Sequence, residues 1–241
     1  MSARRFELEV SGSAVDLLAA FERSGAMPHA FALDFQGTQV VAVTPELCLR
    51  LEADGSVLTS PIKGTRPRHS ESAEDLRLAR ELDEDPKERA ELTMIIDVER
   101  NDLGRVAETG SVQLCEPPHV VALPGIHHRV ASVAARVAPD LGRAELLAAM
   151  LPSGSVTGAP KRRAMQLIAE LEPHRRGLYT GALGYVRHDG GLELKMAIRT
   201  LCVRAGVGHD FAGGGIVADS IPEREVEETL WKAERLVSLL G

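Results

Sequence analysis

Two pairs of glutamates are the side chains in this sequence best suited to bind a metal ion. Glu88 and Glu91 form one pair, Glu225 and Glu228 form the other, and Lys232 follows four residues after the second pair. Residues three, four and seven apart share a helix face, so each pair would present two carboxylates side by side. Oxygen ligands without a nearby histidine or cysteine suit a hard cation such as Mg²⁺. The alternative is a solvated charged face, which is common for a run such as EREVEE.

The helices that would carry these pairs begin with recognisable cap signals. Asp85 at the N-cap, followed by Pro86 at the first helical position, predicts a helix that runs to Gly104. Ser220 and Glu223 have the spacing of a capping box, which predicts the start of the second helix. Both glutamate pairs are therefore expected near helix N-termini.

A run of three glycines precedes the second helix. Gly213, Gly214 and Gly215 lack a Cβ, so the backbone is expected to form a turn with positive φ whose N–H groups a ligand can approach. Two carboxylates and an ammonium group beside such a turn could hold a metal and an anion together.

Two further segments concentrate positive charge. In residues 61–68, PIKGTRPR, the prolines predict an extended path and Gly64 a tight bend, in a segment that is either a basic surface loop or part of a binding site. In residues 153–173, a glycine loop precedes a helix whose free N–H groups favour an anion, and Lys161 strengthens that field. The Walker A pattern is absent, so nucleotide phosphate is not the expected ligand.

Three other charged or titratable residues have alternatives that the spacing leaves open. Arg199 lies among apolar neighbours and needs a partner, either a carboxylate ligand or a structural ion pair. His127 and His128 are adjacent in a segment with strand character. Neighbouring residues of a strand point to opposite faces, so at most one of the two histidines is expected to face a site.

The pattern of elements predicts an α+β fold and a single domain over residues 1–241. Short β runs broken by turn signals after Phe31 predict an antiparallel meander, and residues 179–187 and 192–204 predict a long hairpin. Two helices are expected to bury an apolar stripe. Their stripes are Ala164, Leu167, Ile168 and Leu171 in one, and Val226, Leu230, Ala233, Val237 and Leu240 in the other.

Composition excludes several classes of protein. The formal net charge of −7 argues against a nucleic-acid-binding surface, which needs a basic field. The sequence has neither an apolar signal region at its start nor an apolar run long enough to span a membrane, so a cytoplasmic protein is expected. Cys48, Cys115 and Cys202 are far apart and read as reduced thiols.

Several short motifs occur in a fixed order over residues 30–236. They are TPE at 44–46, PIKGTRPR, DPKERAE with RNDLGRV, GSVTGAPKRRAM, YTGALGY, AIRT and AGGGIVADSIPEREVEETLWKA. Together they resemble the chorismate-utilising enzymes, the catalytic components of aminodeoxychorismate and anthranilate synthases, with their isochorismate and salicylate relatives. Many motifs in the right order are far more specific than any one of them.

The resemblance implies antiparallel β-sheets flanked by helices that enclose a chorismate site. It implies that Mg²⁺ is held by Glu88, Glu91, Glu225 and Glu228. It implies catalytic roles for Lys63, Glu46 and His128, in which Glu46 protonates the departing C4 hydroxyl. The residues implied to bind the substrate are Gly64, Thr65, Thr157, Gly158, Tyr179, Arg199, Gly213, Gly214, Gly215 and Lys232.

Within this family the lysine of PIKGT points toward an aminodeoxychorismate synthase, because anthranilate synthases resemble PIAGT there. Lys63 could attack C2 of chorismate as the C4 hydroxyl leaves, and ammonia could then enter at C4 and expel the lysine. The amine must be neutral to attack, which requires burial or nearby cations such as Arg66. The implied partner is a glutamine amidotransferase that delivers ammonia.

The chain departs from the family pattern by lacking the N-terminal region, including a strand with a YQVNL-like motif. Isochorismate and salicylate synthases place a water-activating lysine on that strand, so their chemistry is disfavoured here. A sheet without this strand exposes an edge, which invites a partner or self-pairing. Two alternatives stay open: an enzyme like anthranilate synthase component I, and a catalytically inactive chorismate-binding module.

Overall fold

The fold consists of antiparallel β-sheets with helices packed against them. The structure is a computed structural model, which describes residues 2–23, 28–217 and 220–237. The strands are β1 (Ser2–Glu9), β2 (His29–Phe35), β3 (Thr38–Thr44), β4 (Leu47–Leu51), β5 (Ser56–Ser60), β6 (Ile62–Pro67), β7 (Gln113–Leu123), β8 (Ile126–Arg136), β9 (Ala182–Val186), β10 (Leu192–Met196), β11 (Thr200–Arg204) and β12 (Val207–Gly214). The helices are α1 (Ala14–Arg23), α2 (Ser72–Glu84), α3 (Pro86–Gly104), α4 (Arg143–Met150), α5 (Gly154–Thr157), α6 (Lys161–Leu171) and α7 (Pro222–Val237). The α+β class with antiparallel sheets is confirmed.

The chain divides into two compact units, and unit 1 consists of Met1–Pro45, Val156–Gly181 and Ala197–Gly241. Its sheet has the order β1-β12-β11-β3-β2, so β1 and β2 are its edge strands in the described part of the chain. The central strand β3 is almost entirely buried, and α1 packs against it and β2. Helix α7 packs against β12 and β1, which places the second glutamate pair beside the end of β12.

Unit 2 consists of Glu46–Ser155 and Ala182–Met196. Its long strand β8 pairs with β7 along one edge and with β5 and then β6 along the other. Helix α3 packs on β8 and β6 through its buried apolar face, and α2 packs beside it. The first glutamate pair therefore lies next to the strand that carries the basic segment. The single domain predicted over residues 1–241 stays a prediction.

The extended path predicted for residues 61–68 is confirmed, because β6 occupies most of the segment and pairs with β8. The predicted bend is confirmed as well, since Gly64 has φ of 77° and the register shifts between Lys63 and Thr65. One strand prediction was wrong in its extent. The predicted strand 192–204 is interrupted after β10, and Arg199 in the interruption adopts a left-handed backbone with φ of 49°. β10 then pairs within the sheet of unit 2, whereas β11 pairs within the sheet of unit 1.

The buried apolar stripes predicted for α6 and α7 were also wrong. Both helices form, but Leu171 at the end of α6 is 76% exposed, and Val226 and Leu230 of α7 are 52% and 44% exposed. Ala233 is buried as predicted. Leu240 lies outside the described residues, as does the side chain of Val237. Periodicity thus predicted the helices correctly, but it did not predict that their apolar faces are largely exposed.

Cys48, Cys115 and Cys202 are free thiols, as the sequence predicts. Across residues 2–23, 28–217 and 220–237, the helices do not combine the length and hydropathy that crossing a membrane requires.

Candidate functional site

In unit 2, the basic segment and the first glutamate pair lie together. Lys63 Nζ on β6 is 3.8 Å from Glu91 Oε1, and both side chains are 12% exposed. Arg66 Nη1, on the same strand, is 3.9 Å from Glu88 Oε1. Each glutamate of the pair therefore faces one cation across the contact between α3 and β6. These distances allow electrostatic attraction without a direct hydrogen bond.

The Lys63 amine has one close hydrogen-bond acceptor. Its Nζ donates to the backbone carbonyl of Ser155 at 2.6 Å, so the side chain points at the segment that follows α4. A largely buried amine held between a carbonyl and a carboxylate is in a defined position. Its deprotonation, which nucleophilic attack requires, stays a prediction.

The second basic side chain, Arg66, is held by three acidic residues. Its Nε donates to Glu81 at 2.9 Å and its Nη2 donates to Asp85 at 2.8 Å. Burial by itself lowers the pKa of Arg66, but the Glu81 hydrogen bond and the charges of Glu88, Glu81 and Asp85 raise it overall, so the guanidinium stays charged. Asp85 also caps α3 by accepting from the backbone N–H groups of Lys87 and Glu88, which confirms the predicted cap.

Gly64 allows close approach between β6 and the helices. It has φ of 77°, and a Cβ on it would lie 2.7 Å from Leu82 Cδ1 and 3.0 Å from Glu88 Oε2. Its carbonyl lies 2.9 Å from Nδ1 of the buried His128. A carbonyl can only accept, so Nδ1 carries a proton. Thr65 Oγ1 lies 3.3 Å from the same Nδ1.

The neighbouring histidine has a different contact. His127 Nε2 lies 2.9 Å from Asp75 Oδ1 on α2, and Arg68 also donates to Asp75. This cluster joins α2 to β8 and to the end of β6. His127 is thus a structural residue, and His128 is the one next to the predicted site, in line with the expectation for adjacent strand residues.

In unit 1, the second glutamate pair surrounds the end of β12. Lys232 Nζ donates to the Gly213 carbonyl at 3.0 Å and lies 2.6 Å from Glu228 Oε1. A Cβ on Gly214 would lie 3.1 Å from Glu225 Oε2 and 4.0 Å from Glu228 Oε1. Oxygens of both glutamates therefore approach the backbone of Gly214.

The predicted reason for the glycines was wrong. Gly213 and Gly214 are residues of β12 and pair with β1, so they do not form a turn with positive φ. Glycine is required by close approach, since a Cβ on Gly213 would lie 2.2 Å from the Ser2 carbonyl oxygen. The capping box was wrong as well, because the Ser220 hydroxyl accepts from the Val217 backbone and α7 begins at Pro222.

A cavity of about 380 Å³ adjoins this second cluster within unit 1. Its lining residues are Ser2, Ala3, Arg4, Gly214, Ile216, Val217, Ser220, Pro222, Glu225, Val226 and Thr229. The wall is largely apolar, with the Glu225 carboxylate as its acidic member. A small ligand with an apolar body would fit such a space.

Tyr179 lies in unit 1 and is almost fully buried. Its ring stacks on Phe211 of β12 with 5.1 Å between centroids and 13° between planes. The Arg176 guanidinium lies 5.7 Å from the Tyr179 ring centroid and donates to the Val156 carbonyl at 3.0 Å. Burial raises the pKa of Tyr179, so its hydroxyl keeps its proton. Arg176, which sequence reasoning missed, therefore links Tyr179 to the segment that contains Thr157.

The remaining predicted residues are placed as follows. Thr157 ends α5 and is buried, and Gly158 has φ of 123°. The Arg199 carbonyl accepts from the Val43 backbone at 3.2 Å. Glu46 is buried before β4, and its carbonyl accepts from the Met196 backbone.

The predicted site residues fall into two sets, one in each unit. Those in unit 2 are Glu46, Lys63, Gly64, Thr65, Glu88, Glu91 and His128. Those in unit 1 are Thr157, Gly158, Tyr179, Arg199, Gly213, Gly214, Gly215, Glu225, Glu228 and Lys232. Within unit 2, one contact network contains Lys63, Gly64, Thr65, Glu88, Glu91 and His128. Their catalytic and binding roles stay predictions.

The motifs and the two clusters agree with a comparison to known families. A family model described as chorismate binding enzyme matches residues 1–238. The chain belongs to the chorismate-binding enzyme family.

Relatives of this chorismate-binding chain carry two different names. Anthranilate synthase component 1 of Thermus thermophilus is 46% identical over 222 residues, which are 92% of this chain and 48% of the relative. Aminodeoxychorismate synthase component 1 of Klebsiella aerogenes is 40% identical over 238 residues, which are 99% of this chain and 52% of the relative. The chain thus spans about half the length of the curated relatives it matches.

A solved structure supports the same fold. Anthranilate synthase component I from Streptococcus pneumoniae matches with a TM-score of 0.87 at 37% identity, over 98% of this chain and 52% of that one. The antiparallel sheets and flanking helices are therefore those of the chorismate-binding fold.

The donors of this chorismate-binding chain fit a magnesium ion better than a transition metal. In the described part of the chain, no three His, Cys, Asp or Glu side chains converge as a metal site, and the carboxylates come as pairs. Mg²⁺ commonly binds one or two protein carboxylates and fills its other positions with water and substrate oxygens. The convergence of Glu225 and Glu228 on Gly214 suits this pattern. The magnesium assignment itself stays a prediction.

Proposed function

We propose that this chain converts chorismate and ammonia to 4-amino-4-deoxychorismate, the reaction of an aminodeoxychorismate synthase component I in 4-aminobenzoate and folate biosynthesis. The observation that carries the proposal is Lys63. It occupies the third position of PIKGT, is largely buried, and has its amine fixed between Glu91 and the Ser155 carbonyl. An amine at this position is the chemical difference that separates a 4-amino from a 2-amino product.

The proposed reaction replaces one hydroxyl by one amino group. The neutral Lys63 amine forms a bond to C2 of chorismate, the ring double bond shifts, and the C4 hydroxyl leaves as water after protonation by Glu46. Ammonia then forms a bond to C4, the double bond shifts back, and the C2–nitrogen bond breaks. The lysine leaves as the neutral amine, the ammonium nitrogen newly bound to C4 returns one proton to Glu46, and the net products are 4-amino-4-deoxychorismate and water.

The other residues would bind and orient the substrate within their own units. In unit 1, Lys232 supplies a cation at the end of β12, which can pair with a carboxylate of chorismate. In unit 2, the Gly64 carbonyl accepts from Nδ1 of His128 and fixes the orientation of the ring. When bound, Mg²⁺ would neutralise and orient a substrate carboxylate. The ammonia would come from a glutamine amidotransferase subunit.

An anthranilate-forming enzyme is the second candidate function. The relative with 46% identity is named anthranilate synthase component 1, whereas the relative with 40% identity is named aminodeoxychorismate synthase component 1. In this alternative, ammonia enters at C2 and Lys63 has no covalent role. A chorismate-binding module without turnover is the third candidate.

Product identification separates the three candidates. The purified protein is incubated with chorismate, Mg²⁺ and ammonium at alkaline pH, with and without an aminodeoxychorismate lyase, and the products are identified by mass and fluorescence. The proposal expects 4-aminobenzoate only when the lyase is present. Fluorescent anthranilate without the lyase would establish the second candidate. Magnesium-dependent chorismate binding without turnover would establish the third.

Replacement of Lys63 tests the covalent route directly. Lys63→Met keeps the length of the side chain and removes the amine, so it is expected to lower kcat for the 4-amino product at least about 100-fold. Lys87→Met makes the same change at a lysine outside the predicted machinery and serves as the control. Unchanged 4-amino product formation by Lys63→Met would refute the covalent role.

A further inference from the structure

We infer that Glu99 is a positioning residue that fixes the Lys63 amine through Ser153 and Ser155. This inference rests on the proposed role of Lys63. Glu99 is not among the residues that the family resemblance implies. It lies in the middle of α3 and is only 1% exposed.

The Glu99 carboxylate is held by two hydroxyl groups from distant segments. Its Oε1 accepts from Ser153 Oγ at 2.7 Å, and its Oε2 accepts from Thr59 Oγ1 at 3.3 Å. All three side chains are buried. A hydrogen bond from a hydroxyl to a buried carboxylate is charge-assisted, and the bond from Ser153 is the shorter of the two. Glu99 thereby ties α3 both to β5 and to the segment after α4.

From Ser153 the connection continues to Lys63 in two steps. Ser153 Oγ accepts from the Ser155 backbone N–H at 3.1 Å, which fixes the orientation of residue 155. The carbonyl of Ser155 in turn accepts from Lys63 Nζ at 2.6 Å. The position of the amine therefore depends on the turn of residues 153–155, where α5 begins. The Ser153 hydroxyl fixes the conformation of this turn, and Glu99 holds Ser153 in place.

The packing of Gly154 shows how closely this turn lies on α3. A Cβ at Gly154 would be 2.3 Å from Val98 Cγ1, so the turn rests directly on the residue that precedes Glu99. A movement of the turn would carry the Ser155 carbonyl with it. Displacement of a reacting group by about 1 Å can cost about 100-fold in rate, so a small shift of the amine would be visible in kcat.

Two variants of Glu99 separate hydrogen bonding from charge and volume. Glu99→Leu and Glu99→Gln both remove the charge and are similar in size, but only glutamine keeps an acceptor for Ser153. We expect Glu99→Leu to lower kcat about 10- to 100-fold with KM for chorismate within about twofold. Glu99→Gln is expected to stay within about threefold of the wild type. Asp97→Asn, on the exposed side of α3, is the matched control.

A second readout does not require activity. Acetylation of individual lysines by acetic anhydride, followed by peptide mass spectrometry, reports the accessibility of Lys63, with Lys87 as the internal reference. Release of the amine from Ser155 is expected to raise Lys63 acetylation at least about threefold in Glu99→Leu and not in Glu99→Gln. Ser153→Ala removes the same hydrogen bond with a smaller change in volume and should reproduce the increase, which covers the case that Glu99→Leu does not fold.

The outcomes distinguish this inference from the proposed function. If Lys63→Met abolishes the 4-amino product but Glu99→Leu and Ser153→Ala change neither kcat nor Lys63 acetylation, the positioning role is refuted and the proposed function stands. If acetylation rises as expected but Lys63→Met remains fully active, Glu99 positions Lys63 and the covalent route is wrong. A parallel loss of kcat in Glu99→Leu and Glu99→Gln would also overturn the inference, because it would assign the effect to charge.

Discussion

Asp210 offers a quantitative test of how burial affects the stability of unit 1. The residue lies on β12, three positions before Gly213, and is only 1% exposed. Burial raises the pKa of its carboxyl from 3.8 to about 7, and the neighbouring Phe211 backbone N–H offsets only part of this increase. Replacement by asparagine keeps the shape of the side chain and removes the ionisation.

The expected pH dependence follows from the two pKa values. The unfolded chain releases the Asp210 proton near pH 3.8, whereas the folded chain keeps it until about pH 7. Between these values the folded state binds more protons, so the free energy of unfolding falls as the pH rises. At 1.36 kcal/mol per pKa unit, the loss approaches about 4 kcal/mol once the pH exceeds 7. Asp210→Asn should not show this loss.

Urea unfolding of the wild type and Asp210→Asn between pH 5 and 8.5 measures the effect. The difference in stability should grow with pH and reach several kcal/mol in favour of asparagine, or roughly 10 °C in Tm. Asp34→Asn, at an exposed position of β2 in the same unit, is the control. Parallel stability curves for the wild type and Asp210→Asn would show that burial of this carboxylate has no such cost and would refute the reasoning.

Three further predictions concern the other contacts of unit 1. Arg176→Ala removes the ion-pair partner of Glu172, whose nearly buried carboxylate lies 2.6 Å from the guanidinium. Urea unfolding should show a free energy of unfolding lower by about 3–5 kcal/mol. Arg176→Lys should lose less stability, because it keeps the charge. Gly213→Ala places a Cβ against the Ser2 carbonyl and should cost about 1–3 kcal/mol, with faster hydrogen exchange along β1. Lys232→Met should weaken chorismate binding about tenfold by calorimetry without lowering Tm by more than a few degrees, and unaltered affinity would remove this lysine from the substrate site.

The parts of the fold that the sequence predicts correctly are those with local causes. Asp85 and Pro86 specify the start of α3 because the cap contacts lie within three residues of each other. The prolines and glycine around Lys63 predict an extended, bent segment but not its pairing, because the partner of Lys63 on β8 is Arg129, 66 positions later (129 − 63). The exposed stripe of α6 shows the same limit, since periodicity gives a helix and its apolar face, whereas burial depends on what the rest of the chain packs against that face.

The site residues divide in a similar way, into neighbours that local spacing predicts and neighbours that only the tertiary fold brings together. Spacing identified Glu225, Glu228 and Lys232 as neighbours on one helix face, and the ion pair between Glu228 and Lys232 confirms this. Spacing could not pair Lys63 with Glu91, which are on different elements. The link from Glu99 to Ser153 was missed because it spans 54 positions and involves residue types that are common in helices and loops.

The strand order of unit 1 also sets the order in which its sheet can be completed during synthesis. β3 can pair with β2 as soon as both have emerged, but its other neighbour is β11, where Leu201 pairs with Val41. Those two residues are roughly 160 positions apart, which corresponds to roughly 10–30 s of translation at bacterial and eukaryotic rates. During that time β3, which is buried in the finished sheet, has an open hydrogen-bonding edge. The nascent chain therefore carries an aggregation-prone edge until β11 and β12 arrive, and chaperone binding to residues 38–44 would protect it during that interval.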